Sequence, residues 1–405
     1  MRVLVGKKAA TTMSTWCPRR TPNVLAACAV LIAAVGVCRA SEQADVAAIR
    51  KNQPTAAGAD FVRAIRRIDE LRGQLTFEQG RLTGVDLSGG RVSAADADLA
   101  LLAALPHLGL LRVSGGEITD AGIAHVARLS GLVELAVQDA QIDDEGLHSL
   151  AALKRLRSLR LRRCMKLTDA GLACLDQFPA LGHLALIEDN ISDQGMEHVQ
   201  RLHGLVAIDL RGCAGVTDTG LARLKQLDKL KSLRLGGYAV TDATLGVVQD
   251  FSKLTSLTIE DASISEAGQA KLRGLPLDDL SIARCLSFGD AALAEVKNFH
   301  KLRQLSLRDT AVTGAGMVHL AGLQSLRSLT VVRCGMDDAG VAQISGLTGL
   351  ERLNLHADPG VTDASIAHLR KLTGLKLLVI GETGISDAGL SQLRAGLPGC
   401  KITRE

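Results

Sequence analysis

The chain has 405 residues, of which 47% are hydrophobic but only 2% aromatic, and a formal charge of +4. A core so poor in rings has to be built from Leu, Val, Ile and Ala, in many small similar layers rather than one large centre. The charge gives no support to a globally basic nucleic-acid binder: residues 1–40 carry six bases and no acid, and without them 41 Lys and Arg face 43 Asp and Glu, a net of −2.

The first element in chain order is an export signal. Residues 1–23 are basic and polar, residues 24–37 are an unbroken apolar run, and Cys38-Arg39-Ala40 sets small residues at −3 and −1 of a cleavage point after Ala40. Residues 1–40 are therefore read as a signal peptide or signal anchor. The apolar run is shorter than the ~20 residues of a bilayer span, which favours cleavage over anchoring by residues 24–37. The body of the chain is then exported, to a periplasm, a cell envelope or the exterior, and meets a membrane only through an uncleaved N-terminus. Arg19-Arg20 hints at twin-arginine export, but Pro22 and Asn23 follow where apolar residues would help. Residues 25–28 read like a lipid-attachment box, but at the wrong end of the apolar run.

Residues 41–58, with Pro54 and Gly58 among small and polar side chains, read as a linker. Residues 59–81 read as a cap. Phe61, Ile65, Ile68 and Leu71 share one helical stripe, and residues 74–77 can pair with 82–87 as a hairpin over the first strand's edge.

From residue 82 to 396 one phrase recurs. Ile118-Thr119-Asp120-Ala121-Gly122 returns as Leu167-Thr168-Asp169-Ala170-Gly171 and as Ile385-Ser386-Asp387-Ala388-Gly389. Its acidic column runs through Asp96, Asp120, Asp144, Asp169, Asp193, Asp218, Asp242, Glu266, Asp290, Gly314, Asp338, Asp363 and Asp387, in steps of 24 or 25 residues. A Leu-x-x-Leu-x-Leu phrase leads each copy, as in Leu156, Leu159 and Leu161, and its last spacing is the strand period. After the acid the spacing changes to three and four, as in Ile123, Val126 and Leu129, one face of a short helix. Leu397, Cys400 and Ile402 repeat the strand phrase with no helix after it, so residues 397–405 read as a terminal strand.

This pattern resembles the leucine-rich repeat family, and within it the cysteine-containing type of F-box adaptors and many bacterial proteins. The resemblance covers about residues 82–402, and thirteen in-register copies carry it. It implies an α/β solenoid, a horseshoe with a concave parallel β-sheet and short helices on the convex side, about 13 repeats of 24–25 residues. It also implies a ligand on the concave side or rim, without naming it. Residues 41–80 show no F-box, so an adaptor role is not carried over. The aromatic-poor, Ala-rich repeats and the export signal point to a bacterial source.

Residues that tempt a chemical reading fall into the repeat columns. Asp218-Thr219-Gly220 spells the aspartic protease triplet, but that chemistry needs two facing carboxylates, and this Asp belongs to a 13-fold column. Thr or Ser there caps a helix, and the acid meets the positive end of its dipole. Cys164, Cys213, Cys285 and Cys334 share a column of small residues in non-adjacent repeats, roughly 10 Å or more apart, too far for disulfides. They read as buried, while Cys174 sits on a helix and Cys400 at the end. His125, His198, His319 and His368 also skip repeats, so no metal pair forms, and Phe178, Phe251 and Phe299 occupy a Leu column of the core. No catalytic, cofactor or metal residue is expected. The ligand candidates are arginines on or beside the strands: Arg160, Arg162, Arg163, Arg211, Arg234, Arg284, Arg308, Arg333 and Arg352, on a face read as rich in Ser and Thr and short of acids. Arg presents a planar fork to carboxylates. The expectation is a non-enzymatic interaction scaffold for a protein partner of acidic surface, with no nucleic acid; the alternative is a structural envelope protein that binds anionic polysaccharide.

Overall fold

The computed structural model describes residues 3–5, 56–78, 81–90, 92–105 and 107–404. Apart from residues 3–5, the expected export signal lies outside the described residues, as does the linker up to residue 55. The chain forms two compact units, Met1–Asn190 and Ile191–Glu405.

In the first unit the strands are β1 (Val3–Val5), β2 (Gln74–Glu78), β3 (Arg81–Asp86), β4 (Leu110–Ser114), β5 (Glu134–Gln138), β6 (Ser158–Arg162) and β7 (His183–Ile187). β1 runs parallel to β2, and β2 and β3 form an antiparallel hairpin whose register shifts between Thr76 and Phe77. From β3 onward each strand pairs in parallel with the next. The helix Ala56–Glu70 precedes the hairpin and buries Ile65 and Ile68, with Leu71 buried just past its end. Arg67 Nε ties it to the nearly buried Asp98 of the first repeat at 2.6 Å.

The second unit holds β8 (Ala207–Asp209), β9 (Ser232–Gly236), β10 (Ser256–Glu260), β11 (Asp279–Ala283), β12 (Gln304–Arg308), β13 (Ser328–Val332), β14 (Arg352–Asn354), β15 (Leu377–Val379) and β16 (Lys401–Thr403). All pair in parallel and in chain order. The register matches the repeats: Leu257 pairs with Leu280, Leu280 with Leu305 and Leu305 with Leu329, all buried. A strand alternates its side chains, so the buried Leu column turns every second residue to the opposite, solvent-facing side of the sheet.

One short helix follows each repeat strand, such as Asp120–Val126 or Asp338–Ile344, and two of these segments, Asp169–Gln177 and Gly314–Leu320, are 3-10 helices. Helices this short are unstable alone. They persist because one face is buried against the strands, as with Ile123 and Val126, or Val341 and Ile344. Phe178, Phe251 and Phe299 are buried, as their Leu column requires.

Candidate partner-binding surface

The acidic column does more than meet a helix dipole. Each Thr or Ser before it caps its own helix, as where Thr168 Oγ1 accepts from the Ala170 N–H at 3.3 Å. The acid then reaches into the following repeat. Asp144 accepts from the N–H and the hydroxyl of Thr168 at 2.8 and 2.6 Å. Asp96 does the same for Thr119, Asp193 for Thr217, Asp290 for Thr313 and Asp363 for Ser386. The glycine two residues after the acid leaves room for this carboxylate: a Cβ on Gly171 would collide with Asp144. Where the column holds Gly314, the next cap is Asp337, whose carboxylate occupies the space beside Gly314 and accepts from the Gly340 N–H at 2.8 Å. The protease-like triplet receives such a rung, its Gly220 N–H donating to Asp193 at 3.0 Å, whereas at the following repeat the Thr241 N–H turns to Thr244 Oγ1 at 3.1 Å instead of to Asp218.

The candidate arginines divide into paired and unpaired groups. Arg163 makes a bidentate pair with Asp139, Nε–Oδ1 2.5 Å and Nη2–Oδ2 2.9 Å, which holds that carboxylate well below the usual range. Arg284 pairs with Asp261 (2.7 and 2.8 Å) and with Glu260 (2.9 Å), and Arg333 with Asp309 (2.5 and 2.8 Å). Arg162 reaches Glu188 at 2.9 Å. Arg211 grips the nearly buried Asp209 through Nε and Nη2, at 2.9 and 2.8 Å, and its Nη1 crosses β9 to Glu260 on β10 at 2.8 Å. Gly236 lies under that crossing; a Cβ there would stand 3.3 Å from the Arg211 side chain. Arg234 lies 3.7 Å from Asp209. Arg160, Arg308 and Arg352 are exposed and have no carboxylate within ion-pair distance among the described residues.

The strand faces are therefore less basic than the sequence suggests. The missed acids stand one residue past the strands: Asp139, Glu188, Asp261 and Asp309 have φ of 51–56°, the left-handed region. Arg163, Arg284 and Arg333 share that conformation and position. Opposite charges alternate down this column, Asp139–Arg163–Glu188 and Asp261–Arg284–Asp309–Arg333, a signal the repeat alignment contains. Between the pairs, unit two presents mostly hydroxyls and amides, among them Ser256, Ser281, Ser306, Thr330 and Asn354.

Among the described residues Cys164, Cys174, Cys285, Cys334 and Cys400 are free thiols, and these together with Cys213 are buried except for Cys400. Burial pushes the Cys164 thiol up to about 12 and Cys174 to about 11, so neither is a ready nucleophile. Cys164 instead donates its backbone N–H to Asp189 at 2.7 Å, and Cys334 donates to Asp358 at 2.9 Å. Asp189 and Asp358 occupy the cysteine column themselves, buried, each with its Oδ2 unpartnered. The column histidines His125, His198, His319 and His368 are half-buried on their helices. Among the described residues no group of three or more His, Cys, Asp or Glu could hold a metal ion, and no helix is long and apolar enough to cross a membrane.

No protein-family profile matches the chain, and no curated protein is significantly similar to it. Solved structures do share its fold. An internalin from Listeria monocytogenes is 21% identical with a TM-score of 0.50, covering 76% of this chain and 82% of the internalin. A structure of the yeast Rad7–Elc1 complex is 18% identical with a TM-score of 0.59, covering 77% of this chain and 84% of the matched one.

Proposed function

The chain is a leucine-rich repeat solenoid, and from that premise we propose that it is a non-enzymatic scaffold holding a protein partner on the solvent-facing side of its strands. The observation that carries this reading is the division among the arginines. Those that brace neighbouring repeats are paired with carboxylates, whereas Arg160, Arg308 and Arg352 stand exposed with uncharged register partners on either side, Ala283 and Val332 for Arg308 and Ser328 and Leu377 for Arg352. Arg160 is flanked in register by Ala136 and Ala185, so its guanidinium rises above a shallow surface and is free to take a carboxylate of a partner. A protein partner is also what the yeast neighbour's structure contains, as Rad7 with Elc1. Asp218, the acid that invites a protease reading, opens a helix capped by Thr217.

The test is a capture experiment on envelope and extracellular extract, with the natural chain and a variant carrying Arg160→Glu, Arg308→Glu and Arg352→Glu as parallel baits. A partner retained by the first and lost by the second supports the proposal. Equal retention by both places the interface elsewhere. Export belongs to the same proposal, and it predicts a secreted form whose N-terminal sequence starts at Ser41. A secreted chain that retains residues 24–37 would instead indicate an anchor.

A further inference from the structure

The second unit is close to charge-balanced, yet its charges are sorted by flank. Its strands all point one way and its helices return the chain, so every helix-to-strand segment lies on one flank. Between Gln200 and Cys400 these segments contain 13 Lys and Arg against 4 Asp and Glu. The strand-to-helix segments opposite, each taken with its first helical residue, contain 3 Lys and Arg against 12 Asp and Glu. The helix dipole accounts for acids at helix starts and for bases in a last helical turn. It does not account for Lys229 and Lys231, beyond the turn ending at Gln226, or for Lys301 and Arg303, beyond the helix ending at Val296.

Some of these bases are paired: Lys376 with Glu351 at 2.8 Å, Lys253 with Asp228 at 3.9 Å, and Arg273 with Glu295. Lys229, Lys231, Lys297, Lys301, Arg303 and Lys371 are exposed, with no ion pair among the described residues. The flank also lacks apolar anchors, because the exposed large hydrophobics of this unit, Tyr238, Leu286 and Val318, all lie outside its segments. Protein interfaces gather affinity from aromatic and apolar anchors, and single-stranded nucleic acid is held by aromatic stacking; the flank offers neither.

We propose that this basic flank of the second unit binds a linear anionic polysaccharide. A polyuronate of this kind carries a carboxylate on each sugar ring, so its negative charge is spread along the whole chain and can meet the separate basic groups before β9, β12 and β15. Solvated basic charges spread along the flank meet a chain of solvated carboxylates without any need for a shaped pocket, and the attraction is screened by salt.

Fluorescent polygalacturonate titrated with the full chain tests this. The expected result is saturable binding that weakens at least about tenfold in ~0.5 M salt. Binding should fall by a similar factor in the Lys297→Glu, Lys301→Glu, Arg303→Glu variant, and more modestly in Lys229→Gln, Lys231→Gln, with thermal unfolding unchanged in both. It should persist in the Arg160→Glu, Arg308→Glu, Arg352→Glu variant, which separates this surface from the strand-face reading. The proposal is overturned if polygalacturonate does not bind, if folded flank variants bind it as well as the natural chain, or if oligo-dT or polyglutamate binds more tightly.

Discussion

A single methyl group at Gly171 distinguishes the ladder from ordinary helix propensity. Alanine normally stabilises a helix over glycine by ~0.5–1 kcal/mol, but here its Cβ would collide with the Asp144 carboxylate. Gly171→Ala is therefore expected to destabilise by about 1–3 kcal/mol, whereas Gly346→Ala, with open space around the glycine, should be neutral or slightly stabilising; urea denaturation compares the two. Asp189 gives a pH test at the same scale. Burial pushes its carboxyl up to about 6, although the Cys164 N–H partly offsets the effect. A folded-state pKa above the unfolded one means that the folded chain binds the extra proton, so this residue's contribution falls as pH rises from about 4 through 6. Asp189→Asn should be more stable than the natural chain at neutral pH, by about 1–3 kcal/mol, with the gap narrowing toward pH ~4. A constant difference across that range would show that the side chain's charge is not what costs stability.

At the scale of an element, a helix start such as that at Thr168 depends on the repeat before it. Asp144→Ala removes two hydrogen bonds from Thr168 and should cost about 1–3 kcal/mol. Because repeats touch only their neighbours, the faster amide exchange should stay near residues 144–175 and leave the rung from Asp363 to Ser386 protected. Exchange that rises uniformly along the chain would contradict a rung-by-rung linkage. The rung at Asp363 has a pH signature of opposite sign to Asp189. The Ser386 hydroxyl, and after it the Ser386 N–H, hold the Asp363 carboxyl below its ordinary value. A depressed folded-state pKa gives stability that is present above about pH 4 and lost as pH falls below it. Asp363→Ala should therefore unfold with a flatter acid limb than the natural chain, as circular dichroism would read.

For the whole molecule, repetition is what made the fold legible. The 24–25-residue period and the change of apolar spacing from two to three within each copy implied parallel strands with returning helices, and Leu257, Leu280, Leu305 and Leu329 meet in that register. One strand-and-helix copy cannot bury its apolar face alone, so periodicity dictates stacking. The sequence also determined that the column cysteines and phenylalanines are interior, because their columns otherwise hold small or Leu side chains. Its weakest guide was charge on the strand faces. The arginine positions were readable from the strand period, but which of them are free was not, because that depends on pairing between residues 23 to 49 apart, such as Arg284 with Asp261 and Arg211 with Glu260 across Gly236. The same holds for the acidic column: local rules explain an acid in a first helical turn, while its grip on the following Thr exists only once two repeats lie side by side. The sequence by itself thus decided the fold and which residues line its faces, since both follow from periodicity along one chain. Only the tertiary structure decided which charges are neutralised and which remain for a ligand, since that is set by distances between repeats.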